Sequence, residues 1–161
     1  TGHTNAAGYC LVATANREIP NVGSRRVLSI LLGAASDNAR ANESQKLLNW
    51  GYTAYDAVKL FDAGQTMEEA PIWKGSQSTI KIGRETPTVV TVPSGSSGKV
   101  TTQIVRTDPL MAPISKGQQV GVLKVLVADQ VAAELPIFAQ ESVTEGGFFG
   151  RTWDAIRLWI R

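Results

Sequence analysis

The sequence contains very little cysteine and no long apolar run. Cys10 is the only cysteine in 161 residues, so no disulfide can form within the chain and no set of thiolates is available for a structural zinc site. No apolar stretch reaches the length that a membrane-spanning helix requires. We therefore expect no bound metal and no membrane span in this sequence. The cysteine content indicates no cellular compartment.

The charge is also nearly balanced, with 16 basic and 14 acidic residues and a formal net charge of +2. This excess is too small to indicate a nucleic-acid partner. The 43% of hydrophobic residues is enough for one ordinary globular domain or two small ones. The chain is therefore expected to be folded.

Residues 1–58 read as strand, strand and helix. Residues 8–15 and 25–34 are rich in β-forming side chains, and the segment between them contains Asn, Pro and Gly. This pattern predicts a β-hairpin with a loose loop. The nearly continuous apolar run at 27–32 predicts a strand that is covered on both faces.

A helix is predicted from about residue 40 to residue 58. Its apolar positions recur at helical spacing and are Leu47, Leu48, Tyr55 and Val58. Gly51 weakens this helix slightly.

The sequence pattern of residues 59–145 predicts an all-β sandwich or small barrel. Short β-rich runs alternate with Gly, Pro and Ser, and the runs are residues 78–83, 86–93, 99–106, 119–130 and 131–138. No cluster of titratable residues stands out in this segment. We therefore expect a structural or binding module here.

An amphipathic helix is predicted for residues 146–161. The apolar face carries Phe149, Trp153, Ile156 and Ile160, with Trp159 at its margin and Phe148 just before it. The opposite face carries Arg151, Asp154, Arg157 and Arg161. Aromatic side chains opposite arginines favour a helix that lies on a membrane surface, where Arg157 and Arg161 meet anionic headgroups. The alternative is a terminal helix that docks on its own domain or on a partner.

Several segments together resemble one known family. Thr1 and Gly2 are the last two residues of a Lys-Thr-Gly triad if lysine precedes Thr1. The segments that follow it in matching order are residues 1–15, 25–34, 39–52, 70–75, 110–125 and 145–150. In order, spacing and residue type the chain resembles the D-alanyl-D-alanine carboxypeptidases, which are low-molecular-mass penicillin-binding proteins. The resemblance covers essentially the whole chain.

The resemblance implies an α+β fold with three parts. Residues 1–58 would be the C-terminal piece of a transpeptidase-like α/β domain of the kind found in serine β-lactamases. Residues 59–145 would be an all-β sandwich-like domain, and residues 146–161 an amphipathic membrane-surface helix. The start at Thr1 is then expected to be a cut end, and the protein is expected in the bacterial periplasm, attached peripherally to the outer face of the inner membrane.

The implied reaction is the removal of the terminal D-Ala from peptidoglycan stem peptides through an acyl-enzyme, without a cofactor. β-Lactam antibiotics such as penicillin would bind at the same site. The family's Ser-x-x-Lys and Ser-x-Asn motifs have no usable counterpart here, and the triplet Ser36-Asp37-Asn38 is interpreted as a coincidence. We therefore expect the N-terminal half of the same enzyme as a partner, and this chain alone to be inactive.

Four residues carry over from the family's site. The backbone N–H of His3 would donate to the oxyanion, and Thr1 would contact the substrate beside Gly2. Arg40 would hold the substrate's carboxylate. The imidazole of His3 is expected to do no chemistry.

The sequence offers two alternative functions. A chain that begins with threonine is compatible with an N-terminal-nucleophile hydrolase, but the hairpin, single helix and separate β-domain do not suit that architecture. The second alternative is a non-catalytic module, in which the β-domain and the terminal helix hold a partner at the membrane.

Overall fold

The computed structural model describes residues 1–147, which form a mostly β-sheet fold with one α-helix. The chain divides into two compact units. The first contains Thr1–Val58 and Val89–Gly98, and the second contains Lys59–Thr88 and the chain from Lys99 onward. The inclusion of Val89–Gly98 in the first unit was not predicted, and the assignment of three parts stays a prediction. The predicted membrane-surface helix lies outside the described residues.

The first unit is built on a three-stranded antiparallel sheet. Its strands are β1 (Gly2–Thr4), β2 (Gly8–Ile19) and β3 (Gly23–Ala34), in the order β1-β2-β3. The β2–β3 hairpin is present as predicted, and both strands are longer than the sequence indicated. In its register Ala13 pairs with Ser29 and Val12 pairs with Ile30. Neighbouring pairs therefore point to opposite faces of the sheet.

The helix α1 spans Asp37–Thr53, so the predicted end at residue 58 was wrong. Ser36 is its N-cap, and the Ser36 side chain accepts a hydrogen bond from the Ala39 backbone N–H at 3.1 Å. After Thr53 the chain enters strand β4 (Tyr55–Phe61), which pairs with strand β7 (Thr88–Pro93). Tyr and Val suit strands, so pairing with another strand decides the conformation of this segment.

The face of α1 that packs on the sheet includes Leu48 of the predicted apolar positions but not Leu47. Leu47 is exposed, whereas Ser44 is fully buried and Arg40 and Leu48 are partly buried. Gly51 lies so close to the sheet that an added Cβ would be 2.8 Å from Val27 Cγ1. Small and polar residues thus let the helix approach the sheet closely, and a hydrophobic pattern does not reveal such a face.

Only one face of the hairpin sheet is covered within residues 1–147, whereas the sequence predicted cover on both. Helix α1 lies against β2 and β3, on the side of Ser29. On the opposite side Val12, Leu28, Ile30 and Leu32 are between 59% and 72% exposed. The second face stays uncovered because the described part of the first unit has a single helix, which can pack on only one of the two faces. The uncovered apolar face consists of these four residues.

The second unit is built on a six-stranded sheet with the order β8-β10-β11-β6-β5-β9. Its strands are β5 (Thr66–Trp73), β6 (Thr79–Gly83), β8 (Val100–Arg106), β9 (Leu110–Met111), β10 (Gln119–Val127) and β11 (Gln130–Ala139). All neighbours are antiparallel except β5 and β9. Its most deeply buried side chains include Ile80, Ile82, Leu123, Val125, Ile137 and Val143.

The prediction of a β-rich second segment is confirmed at the level of its strands. Strands β4, β5 and β9 were not predicted, because Pro71 and two glutamates interrupt the β-like pattern of β5 and β9 has only two residues. No helix among residues 1–147 has the length and apolar character to cross a bilayer.

Candidate functional site

The four predicted site residues fall around strand β1 and the first turn of α1. Arg40 Nη1 lies 3.3 Å from the Gly2 carbonyl oxygen and 3.5 Å from that of Cys10. The guanidinium also forms an ion pair with Asp37, one turn earlier in the helix. These contacts join the beginning of the helix to β1 and to β2. The structure therefore brings Arg40 and Gly2 together, although they are 38 residues apart in sequence.

The Tyr9 ring contacts two of the predicted site residues, Arg40 and His3. Its ring centroid is 5.5 Å from Arg40 Cζ and 4.0 Å from the centroid of the His3 ring. His3 and Tyr9 are directly paired across β1 and β2. The His3 imidazole thus packs on an aromatic ring, and Arg40 gains a cation–π contact with that ring.

Thr1, Gly2 and His3 are exposed, and Thr1 immediately precedes β1. Within residues 1–147, β1 pairs with β2 alone and so leaves one edge of the sheet open. An open edge presents backbone N–H and C=O groups that can pair with an extended peptide. The Arg40 guanidinium contacts carbonyl oxygens of both β1 and β2 at the first residue of β1, so the arrangement can hold a peptide that ends in a carboxylate.

Sequence reasoning missed Tyr9 and Asp37. Asp37 precedes Arg40 by three residues on one helix, a spacing at which opposite charges meet. Tyr9 follows from the short β1–β2 turn once β1 is recognised as a strand. The triplet Ser36-Asp37-Asn38, interpreted as a coincidence, has a structural role here, since Ser36 caps the helix and Asp37 pairs with Arg40.

Residues 1–147 contain no group of three or more His, Cys, Asp or Glu side chains that could hold a metal ion.

Comparison with known proteins gives consistent matches. D-alanyl-D-alanine carboxypeptidase DacC of Escherichia coli (strain K12) is 36% identical over 159 residues, which cover 98% of this chain and 38% of that protein. D-alanyl-D-alanine carboxypeptidase DacA of Haemophilus influenzae is 31% identical over 162 residues, which cover 100% of this chain and 40% of that protein. The chain thus spans about two fifths of the length of these curated relatives.

Solved structures agree with these matches. Penicillin binding protein 5 from Haemophilus influenzae aligns with a TM-score of 0.79 and 30% identity, over 89% of this chain and 41% of that one. A family model described as "Penicillin-binding protein 5, C-terminal domain" matches residues 55–145, which is more than half of the chain. The resemblance to low-molecular-mass penicillin-binding proteins is confirmed, and the chain belongs to the family of the penicillin-binding protein 5 C-terminal domain.

Proposed function

We propose that this chain is part of a serine-type D-alanyl-D-alanine carboxypeptidase. The enzyme removes the terminal D-Ala from peptidoglycan stem peptides through an acyl-enzyme, and β-lactams such as penicillin acylate the same serine. The observation that carries the proposal is the position of Arg40 beside β1, with Nη1 3.3 Å from the Gly2 carbonyl oxygen. The names of the relatives support the same reaction.

The reaction needs a nucleophile, a base, an oxyanion hole and a cation for the substrate's carboxylate. In this proposal the His3 backbone N–H donates to the oxyanion, and the Thr1 hydroxyl contacts the substrate beside Gly2. The substrate's peptide lies along the open edge of β1, as an added strand would. Arg40 then holds the carboxylate of the terminal D-Ala.

The surroundings of Arg40 suit this role. Its side chain is 18% exposed, and the carbonyl oxygens of Gly2 and Cys10 together with the Tyr9 ring hold the guanidinium in place. A cation fixed in advance loses little freedom when it binds a carboxylate. Asp37 is 68% exposed, so its carboxylate can turn toward water and yield its position to the carboxylate of the substrate.

The nucleophile is proposed to come from the N-terminal half of the same enzyme, which carries the Ser-x-x-Lys motif. That part of the protein would pack on the uncovered apolar face, Val12, Leu28, Ile30 and Leu32. Contiguous exposed side chains of this kind mark a surface that is covered by another structure. On this proposal the chain alone is inactive, because the site has its cation and oxyanion donor but no serine and base.

The proposal extends to location. The protein works in the bacterial periplasm, and residues 146–161 attach it to the outer face of the inner membrane. Support for this attachment comes from the sequence pattern, in which a helix would place Trp153 and Ile160 on one face, Arg151 opposite them, and Arg157 and Arg161 at the margin.

Substitution of Arg40 tests the proposed function. In the complete enzyme, Arg40→Gln should lower kcat/KM for D-Ala release from a peptide ending in D-Ala-D-Ala by roughly 10- to 100-fold, the value of a hydrogen bond to a charged group. A peptide whose terminal carboxylate is replaced by an amide should lose far less, because it does not use the cation.

Arg17→Gln is the matched control. Arg17 also lies over a tyrosine ring of the first unit, 4.2 Å from the Tyr52 centroid, but it is exposed and far from β1 in the sheet register. We expect its kcat/KM to stay within about twofold of the parent. Equal activities of the two variants would contradict the role of Arg40, and a complete enzyme that releases no D-Ala would contradict the function itself.

A further inference from the structure

The second unit contains a pocket that the proposed reaction does not use. Its volume is about 560 Å³, within the range of small-molecule sites. It lies where the ends of β6 and β11 meet, beside the loop that contains Lys116 and Gly117. Its lining includes Lys81, Arg84, Lys116, Glu85, Phe138 and Gln140.

One wall of the pocket is held firmly by the side-chain amide of Gln140. Gln140 Nε2 donates to the Gly64 carbonyl at 2.9 Å, and the Thr66 hydroxyl donates to Gln140 Oε1 at 2.8 Å. Gly83 packs against this amide, because an added Cβ would be 2.8 Å from Gln140 Nε2 and 2.5 Å from the Gln65 carbonyl oxygen. The wall is therefore preformed, which lowers the cost of binding a ligand.

The charges of the pocket are unbalanced. Three cations, Lys81, Arg84 and Lys116, face one carboxylate, Glu85, so the lining carries a net charge of +2. Within residues 1–147 neither Lys81 nor Arg84 forms an ion pair, and Lys116 is 4.0 Å from Glu85 in an exposed pair that contributes little. A concave surface with uncompensated cations attracts an anion.

Arg84 is the most constrained of these cations. Its Nη1 donates to the Pro136 carbonyl at 2.6 Å, and its Nε is buried with no hydrogen-bond partner among the residues that the structure describes. The Pro136 contact fixes the guanidinium, so Arg84 loses little freedom when it holds an anion. Glu141 is not part of the lining, but its carboxylate accepts from the Lys81 backbone N–H at 3.1 Å, so the excess around the pocket is about +1.

The remaining lining indicates what kind of anion fits. Phe138 offers apolar surface, and Thr66 and Thr86 offer hydroxyl groups. A bare inorganic ion would leave this surface unused, whereas an organic anion would cover it. Glu85 adds a negative charge at the same pocket, which suits an ammonium group.

We propose that this pocket binds a short acidic peptide. Lys81, Arg84 and Lys116 hold its carboxylates, Glu85 receives its ammonium group, and Phe138 contacts its aliphatic part. The site is separate from Arg40 and β1, so it does not depend on the carboxypeptidase reaction.

Titration of the ¹⁵N-labelled chain tests the proposal. The probe is the tripeptide Ala-Glu-Ala, compared with the isosteric Ala-Gln-Ala and with inorganic phosphate. Saturable shifts of the Gly64, Gly83 and Gly117 amides with Ala-Glu-Ala are expected, with clearly weaker binding of the other two probes.

The variant with both Lys81→Met and Lys116→Met should bind Ala-Glu-Ala about tenfold more weakly or worse. Both side chains are exposed, so the fold should persist, and unchanged amide spectra elsewhere would verify this. The control variant with both Lys46→Met and Lys99→Met removes the same two charges outside the pocket lining and should keep the affinity within about twofold.

Three results would overturn the proposal. The first is the absence of saturable shifts at these glycines, and the second is equal binding of Ala-Gln-Ala, which would exclude recognition of the carboxylate. The third is phosphate binding as tightly as the acidic peptide, which would reduce the pocket to a site for any oxyanion.

Discussion

Arg25 joins the end of the helix to the sheet of the first unit. Its Nη1 donates to the Tyr55 carbonyl at 2.9 Å and its Nη2 to the Gly51 carbonyl at 3.0 Å. The last turn of α1 contains no basic residue, although carbonyl groups at a helix C-terminus favour a cation. Arg25 supplies that cation from β3.

We therefore expect Arg25→Met to lower the free energy of unfolding by about 1–3 kcal/mol, because two partly buried carbonyl groups lose a charged donor. Arg26→Met is the control, since Arg26 is the next residue on β3 and is exposed. Its effect should stay within about 0.5 kcal/mol. Chemical denaturation of both variants measures the difference, and equal losses would show that Arg25 has no special role.

Single functional residues could be predicted where they match a family motif, but not where their contacts are distant in sequence. Thr1, Gly2, His3 and Arg40 came from resemblance to a family, and their roles as site residues stay predictions. The structure adds that Arg40 meets Gly2. Arg25 escaped prediction because its partners lie 26 and 30 residues later in the chain, and no local pattern marks such a contact.

At the scale of elements, strands were easier to predict than the packing of the helix. Residues 8–15 and 25–34 show their conformation through β-forming side chains alone. The end of α1 was misplaced because Tyr55 and Val58 suit a helix face and a strand equally well. Its packing face was misjudged because the buried position is a serine, and a search for apolar periodicity does not find a serine.

Gly51 gives a test of this close helix packing. Replacement of an exposed helical glycine by alanine stabilises a helix by about 1 kcal/mol. Here the new Cβ would be 2.8 Å from Val27 Cγ1, and overpacking costs about 1–3 kcal/mol. We expect Gly51→Ala to give a net loss of about 1 kcal/mol.

Asn42→Ala provides the comparison, because Asn42 is an exposed position of the same helix and should gain a few tenths of a kcal/mol. Thermal or denaturant unfolding should show a lower free energy of unfolding for Gly51→Ala and a slightly higher one for Asn42→Ala. Stabilisation by Gly51→Ala would mean that α1 and β3 are not in close contact at this point.

At the scale of the whole molecule, the central feature is the contrast between the two faces of the hairpin sheet. One face packs against α1, and the other exposes Val12, Leu28, Ile30 and Leu32. A soluble protein rarely leaves such a patch open, which supports our proposal that another part of the protein covers it. The sequence predicted that cover was needed, and the described residues supply it on one side alone.

The most direct measurement of this claim compares Val12→Thr with Val131→Thr, two identical changes at residues that are 59% and 52% exposed here. The free energy of unfolding is measured in the complete enzyme and in this chain alone. If the hairpin face is covered, Val12→Thr should lower the free energy of unfolding of the complete enzyme by about 1–2 kcal/mol more than Val131→Thr does, because its hydroxyl would be buried. In the chain alone the two should differ by less than about 0.5 kcal/mol. Equal losses of unfolding free energy in the complete enzyme would show that the hairpin face is open to water there too, so no other part of the protein covers it.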